Sequence, residues 1–277
     1  MTIKSLGVIG SGAIAAPMLA ALARNVGEPI ERLAILTLPA AADAARELAQ
    51  RCGPRIARRT DVFTDGDAFL AAPFDFVVEC AGHAAVKAYG KKVLETGVEL
   101  LVVSIGALTD DTLRNGLEAA AKRSGARLVL CSGAIGGIDL LSAARLSGIE
   151  RITYTSRKPP KAWKGTPAET LIDLDNVASE TVFYEGTARA AARDYPQNAN
   201  SAATIAIASV GLDHTSVRLI ADPLAPGNVH EFKLSSACAD MEVRIVGKPS
   251  PDNPKTSMST AYTVAREIIN RLSPIAI

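Results

Sequence analysis

Gly10-Ser11-Gly12-Ala13-Ile14-Ala15 lies between a short apolar segment at residues 5–9 and an alanine-rich segment at residues 14–25. The apolar run predicts a β-strand and the alanine-rich segment an α-helix. Small residues in a turn are common in any protein rich in glycine and alanine. Their position between a strand and a helix near the start of the chain makes this turn far more informative than the same residues would be alone.

The spacing of the small residues in this turn matches the geometry needed to bind a pyrophosphate. Gly10 permits a tight turn, and the missing side chain at Gly12 lets backbone N–H groups approach the phosphates. The amino terminus of the helix that follows favours the same negative charge. A structural turn without a ligand is the alternative. We predict a site for NAD or NADP, with the cofactor bound by Gly10, Gly12, Ala13 and Ile14.

The segments that follow repeat the same alternation of strand and helix. Continuous apolar runs predict strands buried on both faces, as in parallel sheets. The predicted strands are residues 5–9, 33–38, 74–79, 100–104 and 127–131, and the predicted helices are residues 14–25, 40–52, 84–96 and 110–124. This order indicates an α/β fold, a doubly wound parallel sheet of the Rossmann type.

The pattern changes after about residue 131. Segments with a period of two predict an antiparallel or mixed sheet with one exposed face. They cover residues 152–156, 217–221, 230–235 and 241–246, with a helix predicted at 199–210 and a last helix at 256–272. We expect a dinucleotide-binding domain over residues 1–131, an α+β substrate and catalytic domain over 132–254, and a carboxy-terminal segment, 255–277, whose helix packs back on the first domain.

Composition excludes several classes of protein. Thirty basic residues against 29 acidic ones give a net charge of +1, and only 4% of residues are aromatic, which argues against a nucleic-acid partner. The four cysteines form no Cys-x-x-Cys pair, so we predict no metal site and a reducing compartment. With no signal peptide and no apolar run near the roughly 20 residues of a membrane span, the expected location is the cytoplasm, without a membrane partner.

The end of the second predicted strand lacks the residue that normally selects between the two coenzymes. It reads Thr37-Leu38-Pro39, without an acidic side chain for the ribose 2′-hydroxyl. No arginine adjoins it to bind a 2′-phosphate, since the nearest one downstream is Arg46. The preference between NAD and NADP therefore stays open, and use of both is plausible.

A dehydrogenase usually needs a side chain that moves a proton near neutral pH, and histidine is the commonest choice. The chain has three histidines: His83, His214 and His230. His83 is expected to start a helix, and His214 to lie in a solvated loop. His230 begins an alternating strand of the second domain, where it is either an exposed strand residue or the catalytic group.

Several unusual segments in a fixed order give the chain a resemblance to the L-aspartate dehydrogenase family over nearly its whole length. Besides the glycine turn, they are Cys131-Ser132-Gly133-Ala134-Ile135-Gly136-Gly137, Ser156-Arg157-Lys158-Pro159-Pro160, Trp163-Lys164-Gly165-Thr166-Pro167, Tyr195-Pro196-Gln197-Asn198-Ala199-Asn200, Ile220-Ala221-Asp222-Pro223, Asn228-Val229-His230-Glu231 and Pro251-Asp252-Asn253-Pro254-Lys255-Thr256-Ser257.

The resemblance implies His230 as the catalytic residue, with Ala134 and Asn200 at the cofactor. It also implies NAD(P)-dependent oxidation of L-aspartate to iminosuccinate, which hydrolyses to oxaloacetate and ammonia or feeds NAD biosynthesis. Taken by themselves, Ala134 could serve only to pack a turn and Asn200 only to cap a helix. We further expect a homodimer.

Two points stay open from the sequence. A basic stretch, Arg157, Lys158, Lys161 and Lys164, surrounds the only tryptophan, and one of these cations could bind a substrate carboxylate or lie in a solvated loop. The competing functions are another oxidoreductase acting on an amino acid, imine or sugar, and a nucleotide sensor without catalysis.

Overall fold

The computed structural model describes residues 3–196, 199–250 and 253–277. The chain divides into two compact units. The first is Met1–Cys131 together with Thr260–Ile277, and the second is Ser132–Ser259. In the part of the chain that the structure describes, no helix has both the length and the apolar character needed to cross a bilayer.

The first unit is built on a six-stranded sheet in which every neighbouring pair is parallel. Its strands are β1 (Ser5–Ile9), β2 (Ile30–Leu36), β3 (Ala57–Phe63), β4 (Phe76–Glu79), β5 (Glu99–Val102) and β6 (Leu128–Leu130). The order β3-β2-β1-β4-β5-β6 reverses direction between β1 and β4, the point where doubly wound folds bind their ligands. Leu6 and Val8 of β1 are completely buried, as the continuous apolar run requires.

Helices of this unit connect the strands. They are α1 (Ala15–Asn25), α2 (Ala42–Ile56), α3 (Gly66–Leu70), α4 (His83–Ala85), α5 (Lys91–Glu95) and α6 (Asp111–Ser124). A single wide π-helical turn, Val86–Gly90, joins α4 to α5. The one helix predicted over residues 84–96 is therefore three consecutive helical segments.

The second unit carries a five-stranded mixed sheet in the order β11-β10-β7-β9-β8. The parallel pair is β7 with β9, and the other three pairs are antiparallel. The elements are α7 (Ile138–Ser147), β7 (Ile149–Lys158), β8 (Thr181–Thr187), α8 (Ala188–Asp194), α9 (Ala199–Ala208), β9 (Ser216–Ala221), β10 (Val229–Ser236) and β11 (Asp240–Val246). A two-stranded hairpin of β12 (Pro249–Ser250) and β13 (Asn253–Ser257) follows.

The last helix, α10 (Met258–Leu272), packs against the parallel sheet. Ala261, Val264, Ala265 and Ile268 are nearly or fully buried and belong to the same apolar cluster as Leu6 and Val8. Arg271 adds a polar contact, since its Nε donates to Glu99 at 2.8 Å and its guanidinium lies 4.2 Å from the centre of the Phe76 ring. One amphipathic helix thus completes the core of the first unit from the far end of the chain.

The predicted fold class is confirmed: a doubly wound parallel sheet plus a second, mixed α+β unit. Seven of the elements named above were not predicted: β3, α3, α7, β8, α8, β12 and β13. The last helix also starts later than predicted, because residue 256 is still part of β13. The strand predicted at 33–38 begins three residues earlier, at Ile30, and ends at Leu36.

Candidate active site

The glycine turn joins the end of β1 to the start of α1. Gly10 has a φ of +113°, a conformation that side chains rarely adopt. A Cβ at this position would lie 3.0 Å from the backbone of Ala81, which follows β4. The Gly10 N–H donates to the carbonyl of Leu36 at 2.8 Å. Gly10 is therefore required by both its conformation and its close neighbour.

Gly12 is different, because a Cβ added there would meet no atom within 4 Å. The space beside it is open, and a side chain would fill it. Helix α1 begins just beyond, at Ala15, and the side chain of its N-cap residue, Ile14, makes no capping hydrogen bond. Open space beside an uncapped helix amino terminus is what a pyrophosphate needs. The residues present therefore fit a dinucleotide.

The end of β2 is occupied by a pair of hydroxyl groups. The Oγ of Ser11 and the Oγ1 of Thr37 lie 2.6 Å apart, so one donates a hydrogen bond to the other. Thr37 is buried, whereas Leu38 is 75% exposed. An uncharged pair thus lies at the position where an acidic residue would select for NAD.

A buried carboxylate at the end of β4 organises the neighbouring loops. Glu79 is 1% exposed. Its Oε1 accepts the N–H groups of Ala81 and Gly82 at 2.8 and 2.7 Å, and the hydroxyl of Ser104 at 2.9 Å. Its Oε2 accepts the Ser104 N–H at 3.1 Å. These bonds hold Ala81 where it lies against Gly10.

His230 lies on β10 in the second unit and is only 8% exposed. Its Nδ1 is 2.7 Å from the hydroxyl of Tyr154 on β7, and the two rings are nearly parallel. In the antiparallel register, His230 is paired with Ser156 and Tyr154 with Phe232. Because side chains alternate along a strand, Tyr154, Ser156 and His230 share one face of the sheet.

Burial makes His230 a neutral imidazole. Loss of solvation lowers the pKa of His230 to about 4, and the positive charge of Lys158 acts in the same direction. Burial raises the pKa of Tyr154 well above its ordinary value, while hydrogen bonds with Ser156 and Ser201 oppose that rise. Near neutral pH the pair consists of an uncharged imidazole and an uncharged phenol, and a neutral imidazole has one nitrogen that can accept a proton.

The two residues of the second unit that the resemblance assigned to the cofactor lie outside the two strands that carry this pair. Asn200 is the second residue of α9 and is exposed. The next residue, Ser201, is the one that bonds to Tyr154. Ala134 is half-buried in the turn before α7, where the Ile135 N–H donates to the Ser132 carbonyl at 3.1 Å.

The other two histidines lie elsewhere. His83 is the first residue of α4, directly after Gly82, and is half-buried. His214 is exposed in the loop before β9. Both positions agree with what was expected from the sequence.

Two cations of the basic stretch, Arg157 and Lys158, lie at the end of β7 and have different surroundings. Arg157 bonds to the carboxylates of Glu180, Asp222 and Glu231, the last two at 3.1 and 3.5 Å. These carboxylates raise its pKa further, and both terminal nitrogens of the guanidinium bond to them. Lys158 lies 4.8 Å from the centre of the Trp163 ring and is the cation that acts on His230.

Both halves of the chain match known families. Residues 139–271 match the model described as "Aspartate dehydrogenase, C-terminal", and residues 10–130 match "Homoserine dehydrogenase, NAD binding domain". The L-aspartate dehydrogenase of Ralstonia pickettii is 42% identical over 270 residues, which cover 98% of each chain. The chain belongs to the L-aspartate dehydrogenase family. The enzyme of the same name from Cupriavidus necator is 50% identical over 203 residues, 73% of this chain and 76% of that one.

A solved structure agrees with this membership. The aspartate dehydrogenase of Thermotoga maritima superimposes with a TM-score of 0.74 at 26% identity and covers 99% of both chains. The resemblance inferred from the sequence segments is thus confirmed, and so is the prediction of a domain that binds a nicotinamide dinucleotide.

Two residues of this family member escaped the sequence analysis. Tyr154 lies on the same face as Ile152 and Ser156 in a segment predicted as a strand, so its face could be predicted from the sequence. Its hydrogen-bond partner, His230, could not be predicted in this way, because the contact depends on the register between β7 and β10. Glu79 carried a signal of its own, because an acidic residue ending a continuous apolar strand requires hydrogen-bond partners.

Proposed function

We propose that this protein is an NAD(P)-dependent L-aspartate dehydrogenase. The proposal rests above all on one observation: 42% identity to an L-aspartate dehydrogenase over 98% of both chains. The reaction oxidises L-aspartate to iminosuccinate, which hydrolyses to oxaloacetate and ammonia. Iminosuccinate that escapes hydrolysis is a precursor for NAD biosynthesis.

In this proposal the glycine turn binds the dinucleotide. Gly10 shapes the turn, and the open space at Gly12 admits the pyrophosphate to the N–H groups of Ala13 and Ile14 at the start of α1. We also assign Ala134 and Asn200 to the cofactor, as the resemblance to the family implies. The dinucleotide held there would supply the hydride acceptor for the Cα of aspartate, which is redox chemistry that the residues of the protein cannot supply.

His230 handles the proton. As the amine of aspartate becomes an imine, nitrogen must lose a proton, and a neutral imidazole can accept it. Burial lowers the pKa of His230 to about 4, which keeps the ring unprotonated at neutral and alkaline pH but makes it a weaker base than the near-neutral histidine expected from the sequence. The buried position of the ring keeps it in one orientation, which general base catalysis requires.

The proposal extends to compartment and assembly. Cys52, Cys80 and Cys238 form no disulfide, and burial raises the pKa of the Cys80 thiol far above its usual value, so that this thiol is unreactive. Reduced thiols suit a reducing compartment, the cytoplasm. We take the enzyme to be a homodimer, which sedimentation of the purified protein would test.

The function is tested by one assay with a matched set of variants. L-aspartate is supplied with NAD and with NADP at alkaline pH, and reduced cofactor is measured for the wild type and for His230→Ala, His83→Ala and His214→Ala. We expect His230→Ala to lower kcat by ~10²–10⁴-fold with nearly unchanged cofactor Kd. The other two variants should keep wild-type turnover.

Each part can fail separately. If the enzyme turns over another amino acid, an imine or a sugar but not aspartate, the proposed substrate is wrong. Loss of turnover in His83→Ala, with His230→Ala near normal, would move the catalytic role to the loop after β4.

A further inference from the structure

Tyr154 is a buried polar side chain that the reaction as described above leaves without a role. It is 1% exposed, and a buried hydroxyl requires partners for its proton and its lone pairs. Its partners come from three separate elements: His230 on β10 at 2.7 Å, Ser156 on its own strand β7, and Ser201 on α9. With three partners, the phenol can donate one hydrogen bond and accept two.

The contact to Tyr154 occupies Nδ1 of His230, so only Nε2 can take a proton from a substrate, and it can do so only when Nδ1 carries the ring proton. A neutral imidazole has one N–H and one free lone pair, and the partner of one nitrogen decides the state of the other. If Nδ1 carries the proton, it donates to the oxygen of Tyr154 and leaves Nε2 unprotonated. The Tyr154 hydroxyl then donates to one serine and accepts from the other. In this arrangement every donor and acceptor of the phenol is used.

We propose that Tyr154 is a positioning residue that holds His230 in the Nδ1–H tautomer, so that Nε2 is the atom that accepts the proton of the substrate amine. The identity of the substrate in this proposal rests on the proposed function, whereas the hydrogen bond between Tyr154 and His230 does not. In the step, Nε2 forms a bond to the proton that leaves the amine nitrogen. Nδ1 keeps its own proton, and Tyr154 stabilises the resulting imidazolium through the same hydrogen bond.

The position of Ser201 adds a consequence. Ser201 directly follows Asn200, the residue we propose at the cofactor, and both lie in the first turn of α9. The same short helix turn therefore supplies a partner to Tyr154 and, in our proposal, a contact to the cofactor. Tyr154 links this turn to the imidazole.

Tyr154→Phe tests the proposal, since it removes one oxygen atom and keeps the ring that fills the core. We expect kcat for aspartate oxidation to fall by roughly 10- to 100-fold, the range seen for groups that orient a metal-bound histidine, with unchanged Kd for NADH. In the double variant with His230→Ala, kcat should equal that of His230→Ala alone, because the phenol acts only through the imidazole. The matched control is Tyr184→Phe on β8, two strands away from β7 in the sheet.

A purely structural role predicts a different result. It would give effects on kcat that multiply in the double variant, and that outcome overturns the proposal. A kcat for Tyr154→Phe within about twofold of wild type also overturns it.

A second measurement does not depend on turnover or on the folding of Tyr154→Phe. Nitrogen-15 NMR of the wild-type protein at pH 7.5, with the His230 signals identified from the His230→Gln spectrum, reports which ring nitrogen is protonated. We expect Nδ1 to be protonated and Nε2 not. A protonated Nε2 overturns the proposal, whatever the substrate proves to be. If the tautomer is as expected but aspartate is not oxidised, only the proposed function fails.

Discussion

The hydroxyl pair of Ser11 and Thr37 determines whether the end of β2 can distinguish NAD from NADP. A carboxylate there would accept hydrogen bonds from the ribose 2′-hydroxyl and repel a 2′-phosphate. Two hydroxyl groups 2.6 Å apart carry no charge and satisfy each other. They offer nothing that separates NAD from NADP by electrostatics.

We therefore expect the wild type to use both coenzymes, and Leu38→Asp to shift its preference toward NAD. Leu38 is 75% exposed, so the new carboxylate remains solvated and folding is unaffected. The ratio of kcat/KM for NAD to that for NADP should rise about tenfold or more, equivalent to ~1.4 kcal/mol. Leu38→Asn is the matched control, because it has nearly the same shape without the charge. A wild type that is already strongly selective for NAD would show that another residue makes this selection.

At the scale of elements, the turn between β1 and α1 offers a test that separates binding from folding. Gly12 and Gly27 both lie where an added Cβ meets no atom within 4 Å, and neither has a positive φ. Gly12→Val and Gly27→Val should therefore both fold. Gly12→Val alone should raise the Kd for NADH, by at least about tenfold, because its side chain fills the space proposed for the pyrophosphate. Fluorescence titration of both variants with NADH measures this. Equal Kd values for the two variants would show that the cofactor does not bind at the turn.

The elements also show how far the sequence predicts the structure. Central strands such as β1, β4 and β5 were predicted because they are buried on both faces and consist mainly of apolar residues. Of the strands that were missed, β3 and β8 each lie at one edge of a sheet. An edge strand pairs on one side only and is partly exposed, so β3 can carry Arg58, Arg59 and Asp61 and shows no apolar run.

The candidate site divides in the same way. The glycine turn was predicted because its function depends on consecutive residues, which the sequence displays directly. The contact of Tyr154 with His230 joins residues 76 positions apart and depends on strand register, which no local pattern encodes. Helix α7 was missed for another reason: of its ten residues, only Leu141 and Ala144 are buried, too few for a clear periodicity.

For the whole molecule, the buried imidazole makes stability depend on pH. The folded state lowers the pKa of His230 from 6.5 to about 4, so between these values the unfolded chain binds a proton that the folded chain does not. The contribution of the buried neutral His230 to the free energy of unfolding is fully present above pH 6.5 and is lost as the pH falls toward 4. The loss amounts to about 3 kcal/mol.

Urea unfolding of the wild type and His230→Gln at pH 7.5 and 4.5 isolates this contribution, because other groups titrate alike in both proteins. Trp163, the only tryptophan, is buried in the same unit as His230, so its fluorescence reports the relevant unfolding. Between the two pH values the wild type should lose roughly 2–3 kcal/mol more than the variant. Equal losses would mean that His230 is solvated in the folded protein.

The helix α10 has a consequence for how the protein is made. The first unit consists of Met1–Cys131 and Thr260–Ile277, so the ribosome must synthesise the whole second unit before it supplies the helix that completes the first. Until then, the patch of the parallel sheet that receives Val264 and Ile268 has no cover. A nascent chain with such a patch is a substrate for chaperones that bind apolar surface. The second unit, whose residues are contiguous, has all of its own sequence available first and can fold before the unit that precedes it in the chain.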